Sequence, residues 1–184
     1  MNPTIEQFPT SLEARLEELR RAREHFLREV ESAPNDDQAT GKDPDQWSVA
    51  EIVFHLHLAE KGTLARLKQA LESPSQGNAP DEKVLREEWE RLRTLVAARV
   101  VKVKAPPRVA PTNAPQRSEA VALIRQSRQD LLATLQTVSY KNLLCVSMPH
   151  PFAAIGVLTG AGWLSATAFH DLRHAEQIRE MQLS

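Results

Sequence analysis

Phe169-His170-Asp171-Leu172-Arg173-His174-Ala175-Glu176-Gln177-Ile178 is the stretch on which the reading of this chain turns. It contains no Gly or Pro, so a helix runs through it, and histidines four residues apart stand one above the other on one helical face. That spacing lets two imidazoles reach one metal ion. It also fits a plain hydrogen-bonded or solvated pair, and the chain has six histidines to place. The neighbours sharpen the choice. Trp163, His170, His174, Gln177 and Met181 follow at steps of seven, four, three and four, which is one stripe. A stripe carrying Trp and Met points inward, where polar groups need partners.

Working outward, the 184 residues suit one domain with a sizeable core. A net charge of −1 with mixed signs argues against a nucleic-acid surface. No apolar run approaches the roughly 20 residues that cross a bilayer. The N-terminal residues Met1 to Glu6 lack the basic and apolar parts of a secretory signal. Cys145 is the lone cysteine, which excludes an intramolecular disulfide and fits a reducing cytoplasm. It reads as a small hydrophobe under a loop. The abundance of Leu, Ala, Glu and Arg favours helices.

Residues 8–32 form a first amphipathic helix, with Phe8, Leu12, Leu16, Leu19, Phe26 and Val30 on its apolar stripe. His25 lies beside that stripe, as a surface or boundary residue. Pro34, Gly41 and Pro44 mark a loop. Trp47-Ser48-Val49-Ala50-Glu51-Ile52 then opens a second helix: Ser48 caps, Glu51 completes a capping box, and Trp47 can staple onto Ile52. That helix runs to about Leu71 and carries His55 and His57. Two steps turn these roughly 200° apart, so only one can face the core. His55 shares its side with Ile52, Leu58 and Ala59 and is the inward one; His57 reads as solvated.

Residues 81–99 form a further helix with Leu85, Trp89, Leu92 and Val96 on one face and dense charge on the other, placing it on the outside of the bundle. Pro106, Pro107, Pro111 and Pro115 impose an extended path over 100–116. Residues 73–116 are therefore a long crossover, whose flanking helices need not be antiparallel neighbours. Residues 118–138 form the next core helix, with Val121, Ile124, Leu131 and Leu135 inward. Met148 to Phe152 is a proline-rich loop, and the last helix starts at Thr159, with Leu158 able to staple onto Trp163. Four long helices with inward histidines on the second and fourth are how metal sites in bundles are built. His55, His170 and His174 together offer three imidazoles, which suit Zn, Ni, Cu or Fe and leave positions open for water or a substrate atom.

The segment from Trp47 to Leu56 resembles the second-helix motif of the DinB-like (DinB/YfiT) superfamily, and His170 to Ile178 resembles its last-helix motif. His150-Pro151, Leu158-Thr159 and Trp163-Leu164 are similar to the approach to that helix, as is the proline-rich crossover. The resemblance implies an all-α, up-down-down-up four-helix bundle, often a homodimer. It implies one divalent ion, commonly nickel or zinc, held by residues matching His55, His170 and His174. Gln177 and Asp171 are then candidates to orient a ligating imidazole. Gln177 is on the stripe; Asp171 is turned off it and reads as an exposed helix residue. His150 is a candidate for the mouth of the site or for loop packing, and Trp163 for the core or a substrate wall. Some relatives are S-transferases or isomerases that use a low-molecular-weight thiol, and others have been called hydrolases. The resemblance thus implies a metal-dependent enzyme acting on a small molecule, and the composition adds a cytoplasmic setting with neither nucleic acid nor membrane as partner. Two other readings stay open: a metal-binding bundle serving as a binding or sensing module, and a metal-free bundle with satisfied core histidines.

Overall fold

In a computed structural model of the chain, residues 7–34, 47–72, 78–97 and 104–182 are described. The loop over 35–46, the end of the second helix's exit and the last residues of the 81–99 helix lie outside them. The elements are α1 (Leu12–Ser32), α2 (Val49–Glu72), α3 (Glu82–Leu92) with a π-turn at Arg93–Ala97, a 3₁₀ turn at Pro107–Val109, α4 (Arg117–Leu135), α5 (Tyr140–Cys145), β1 (Ser147–Pro149), β2 (Val157–Thr159) and α6 (Gly160–Gln182).

The helix starts follow capping chemistry. Ser11 accepts the Ala14 N–H at 3.2 Å and so places the start of α1 later than the apolar stripe alone suggests. Ser48 and Glu51 exchange the two bonds of a capping box at 2.7 and 3.2 Å. Asp81 caps α3 through the Val84 N–H. Thr159 caps α6 through the Gly162 N–H at 2.9 Å.

Packing fixes the topology. One core cluster joins Phe26 and Val30 of α1, Ile52 and Leu56 of α2, Ala120 and Ile124 of α4, and Ala175 and Ile178 of α6. The other joins Leu19 and Ala22, Leu64 and Leu67, Leu131 and Leu135, and Leu164 and Phe169 of the same helices. Going from the second cluster to the first, numbering rises in α1 and α6 and falls in α2 and α4. The bundle is up-down-down-up, with α1 along α6 and α2 along α4. The crossover makes this possible because α2 and α4 run the same way.

Between the two clusters each core helix contributes one charge. Arg128 of α4 donates to Glu60 of α2 at 2.6 Å and to Asp171 of α6 at 3.0 Å. Arg23 of α1 donates to Asp171 at 3.0 and 3.1 Å and to Glu60 at 3.3 Å. Ser127 and the carbonyls of Leu19 and Ile124 complete the network. Asp171 is thus 1% exposed, against the expectation of a solvated residue. Being turned off the histidine stripe points it at α1 and α4, which cover that side.

Two histidines also depart from expectation. His57 is 7% exposed rather than solvated, because α4 covers the face of α2 opposite His55; its ring stacks on Phe54 at 5.9 Å. His25, read as a surface or boundary residue, is buried, 3.9 Å from Glu29 on α1, which packs along α6. The segment between α4 and α6, with Met148 to Phe152 read as a loop, holds α5 and a β1–β2 hairpin that pairs Ser147 with Thr159 and Pro149 with Val157. α3 packs Leu85, Trp89 and Leu92 inward against α6 and keeps its charged face exposed, as its pattern required. Among the described residues no helix is long and apolar enough to cross a membrane.

Candidate metal centre

His55 stands on the α2 face turned toward α6, and His170 and His174 rise one turn apart from α6. The ring nitrogens of the three lie within 4.8 Å of one another. His55 Nε2 is 3.3 Å from His170 Nε2, and His174 Nε2 is 3.0 Å from the same atom. Two nitrogens bound at 2.0–2.1 Å to a tetrahedral ion stand roughly 3.3 Å apart, so this spacing already fits.

The far side of each ring decides what the near side can offer. His55 Nδ1 lies 2.7 Å from the Val109 carbonyl, which can only accept, so Nδ1 carries the proton and Nε2 is a bare lone pair. His174 Nδ1 lies 2.8 Å from Gln177 Oε1, and the same logic leaves its Nε2 bare. Both lone pairs face His170 Nε2, which can carry at most one proton. At least one of the two contacts is therefore lone pair against lone pair. Burial holds the neutral forms in place. It lowers the pKa of His55 against the opposing bond from Val109, and it lowers that of His170 well below the ordinary value, where a proton on His174 or His55 would lower it further. Three neutral donors converging with a proton deficit among them have the chemistry of a divalent-cation site.

The surroundings combine expected and unexpected residues. Gln177, on the same stripe, sets its Oε1 against His174 Nδ1. Trp47, expected as a staple onto Ile52, lays its ring 4.7 Å from His55 and 6.4 Å from His174 while packing on the core cluster that contains Ile52. The Val109 carbonyl comes from the proline-rich crossover; a backbone oxygen leaves no residue-type signal, and only the prolines hint that this segment is held rigidly. Trp163 is buried in the core, donating to the Met148 carbonyl at 3.1 Å. His150 packs on that indole at 5.1 Å, where burial and the charges of Arg66 and Arg108 push its pKa down to about 4. It belongs to a cleft beside the centre, and its charge would act on His170. Asp171 faces the opposite way from the imidazoles, into the buried charge network.

A four-helix bundle that turns three imidazoles toward one point has the layout in which helical bundles can hold a metal ion. The sequence profile of the DinB superfamily matches residues 18–178, and the chain belongs to that superfamily. Among solved structures it is similar to YfiT from Bacillus subtilis, described as a probable metal-dependent hydrolase with an unusual four-helix bundle topology. The two share 19% identity over 95% of this chain and 89% of the other, with a TM-score of 0.59, a likeness of fold. No curated protein matches by sequence.

Proposed function

We propose that this protein is a metal-dependent enzyme that acts on a small molecule at an open position of a three-histidine centre, with His55, His170 and His174 as ligands. The observation that carries the reading is the set of three ring nitrogens facing one another with the outer nitrogens of His55 and His174 already engaged. A divalent ion held there, zinc or nickel by the donor set, supplies Lewis acidity and lowers the pKa of a water or thiol at its free position.

The chain's own residues do the rest. Val109 and Gln177 fix the tautomers and ring planes of His55 and His174. Trp47 covers one side of the imidazoles and excludes water there. No carboxylate or cysteine joins the cluster among the described residues, which leaves the ion its full positive charge and favours activation of a nucleophile over structural closure. Hydrolysis, in keeping with the description of the YfiT neighbour, and transfer to a low-molecular-weight thiol are the two reactions this chemistry serves. We further propose a cytoplasmic homodimer, which light scattering at micromolar concentration would establish or refute.

Metal analysis of the purified protein tests the centre. About one divalent ion per chain is expected, lost in His55→Ala and His174→Ala; variants that retain the wild-type content would show that the ligands lie elsewhere. Activity is tested by offering electrophiles and hydrolysable esters or amides, with and without glutathione, bacillithiol or mycothiol. Metal-dependent turnover is expected, and its absence across the panel would favour a binding or sensing module.

A further inference from the structure

Beside the centre lies an open cleft of about 570 Å³, walled by prolines of the crossover and the hairpin and lined by Arg66, Arg108 and His150. Its charge is one-sided. The Arg66 guanidinium sits 5.7 Å from the Trp163 ring centre, and Arg108 is exposed on the 3₁₀ turn. Among the described residues no carboxylate pairs with either. The two are close enough that Arg108 adds to burial in lowering the Arg66 pKa, and both charges bear on His150. Guanidiniums that repel across a rigid cleft make a strong site for a planar or tetrahedral anion, which removes the repulsion and accepts forked hydrogen bonds.

His150 supplies a matching neutral donor. Its Nδ1 accepts the Phe152 N–H at 3.1 Å, so the proton of the neutral ring resides on Nε2. The prolines preset the walls, which reduces the ordering cost of binding. The cleft also shares a wall with the centre: Arg108 lines it, and the next residue, Val109, holds His55. On α6, Trp163 under Arg66 and His170 at the centre are two turns apart on one face, roughly 10 Å along the axis.

We propose that the cleft binds the anionic end, carboxylate or phosphate, of an elongated small molecule whose other end reaches the three imidazoles. The anionic group and the reacting atom would then be roughly 10 Å apart, by the helix rise between Trp163 and His170. This assignment rests on the metal-centre reading for what happens at the far end, but the anion site itself does not need the ion.

Calorimetric titration of the full chain, metal-loaded and metal-stripped, tests it with glutarate, phenyl phosphate and neutral glutaramide as probes. At least one anion should bind both forms and glutaramide should not, and the response to phenyl phosphate against glutarate assigns phosphate or carboxylate. Arg66→Gln and Arg108→Gln should each weaken the bound anion about tenfold or more, as expected for a charge-assisted bond, with metal content unchanged. Affinity should fall as salt rises. No anion binding at millimolar concentration, equal binding of glutaramide, or wild-type affinity in both arginine variants would overturn the proposal. Anion binding that follows the arginines while the histidine variants keep their metal would sink the metal reading and leave the cleft standing; metal that follows the histidines while anions ignore the arginines would do the reverse.

Discussion

Asp171→Asn isolates the contribution of the buried charge network. Asp171 accepts three guanidinium N–H bonds, two from Arg23 and one from Arg128, all between 3.0 and 3.1 Å. The substitution keeps the shape but turns an NH₂ toward the guanidiniums and leaves two buried positive charges against Glu60 alone. Three charge-assisted bonds at about 1.5–3 kcal/mol each would sum to about 4.5–9 kcal/mol, but they share two guanidiniums and do not add. Removing one member of a buried pair costs about 3–5 kcal/mol. Against a total stability of about 5–15 kcal/mol this is a large fraction. At about 2–4 °C per kcal/mol for a chain of this size, the melting temperature should drop by roughly 6–20 °C. Urea unfolding followed by far-ultraviolet circular dichroism and tryptophan fluorescence reads it directly. A loss below about 1 kcal/mol would refute the reasoning, since it would mean that water screens the network as it does a surface pair. Replacing all four charged residues with apolar ones of similar volume should, by contrast, be near neutral or stabilising. Metal affinity should fall in Asp171→Asn, because Asp171 sets the rotation of α6 that aims its neighbour His170.

The network also has a pH signature. Burial raises the Glu60 pKa, but the charges of Arg23 and Arg128 outweigh it and leave the carboxyl below its ordinary value. Its contribution is then complete above the unfolded pKa, near 4.3, and is lost as pH falls through the lower folded value.

Three further outcomes follow from local geometry. Gln177→Leu should reduce metal affinity roughly 10–100-fold with little change in stability, measured by competition with a chromophoric chelator, because His174 loses the acceptor that fixes its tautomer. Gly162→Ala should destabilise by about 1–3 kcal/mol, since a Cβ there would come within 1.8 Å of Glu88 Oε1, whose carboxylate bonds the Thr159 N–H and hydroxyl at the start of α6; adding Glu88→Ala should relieve the clash, and thermal melts of both compare them. Folded His150 binds its proton only near pH 4 whereas the unfolded ring does so at 6.5, so the unfolded chain holds more protons between those values and stability should fall as pH drops from 6.5 toward 4. NMR titration should place its midpoint near 4, and Arg66→Gln should move that midpoint upward.

Helix positions, the caps at Ser48 and Thr159, and the facing of His55, His170 and His174 were legible from periodicity and spacing, because each depends on residues within one or two turns of one another. The resemblance of the two histidine motifs extended this to the topology. Gln177 could be read for the same local reason, lying three residues from the ring it holds. His57, His25 and Asp171 were misread because the sequence shows which face of a helix a residue occupies, but not which other helix covers that face.

The sequence by itself determined four amphipathic rods, the starts of the second and the last, and which imidazoles share a side. Only the tertiary structure decided that α4 covers the side of α2 opposite His55, that one charge from each rod meets in the middle, that a crossover carbonyl and an indole meet the histidines, and that two arginines line the cleft beside them. These are contacts between residues tens of positions apart, and they are set by how the helices pack rather than by any local pattern along the chain.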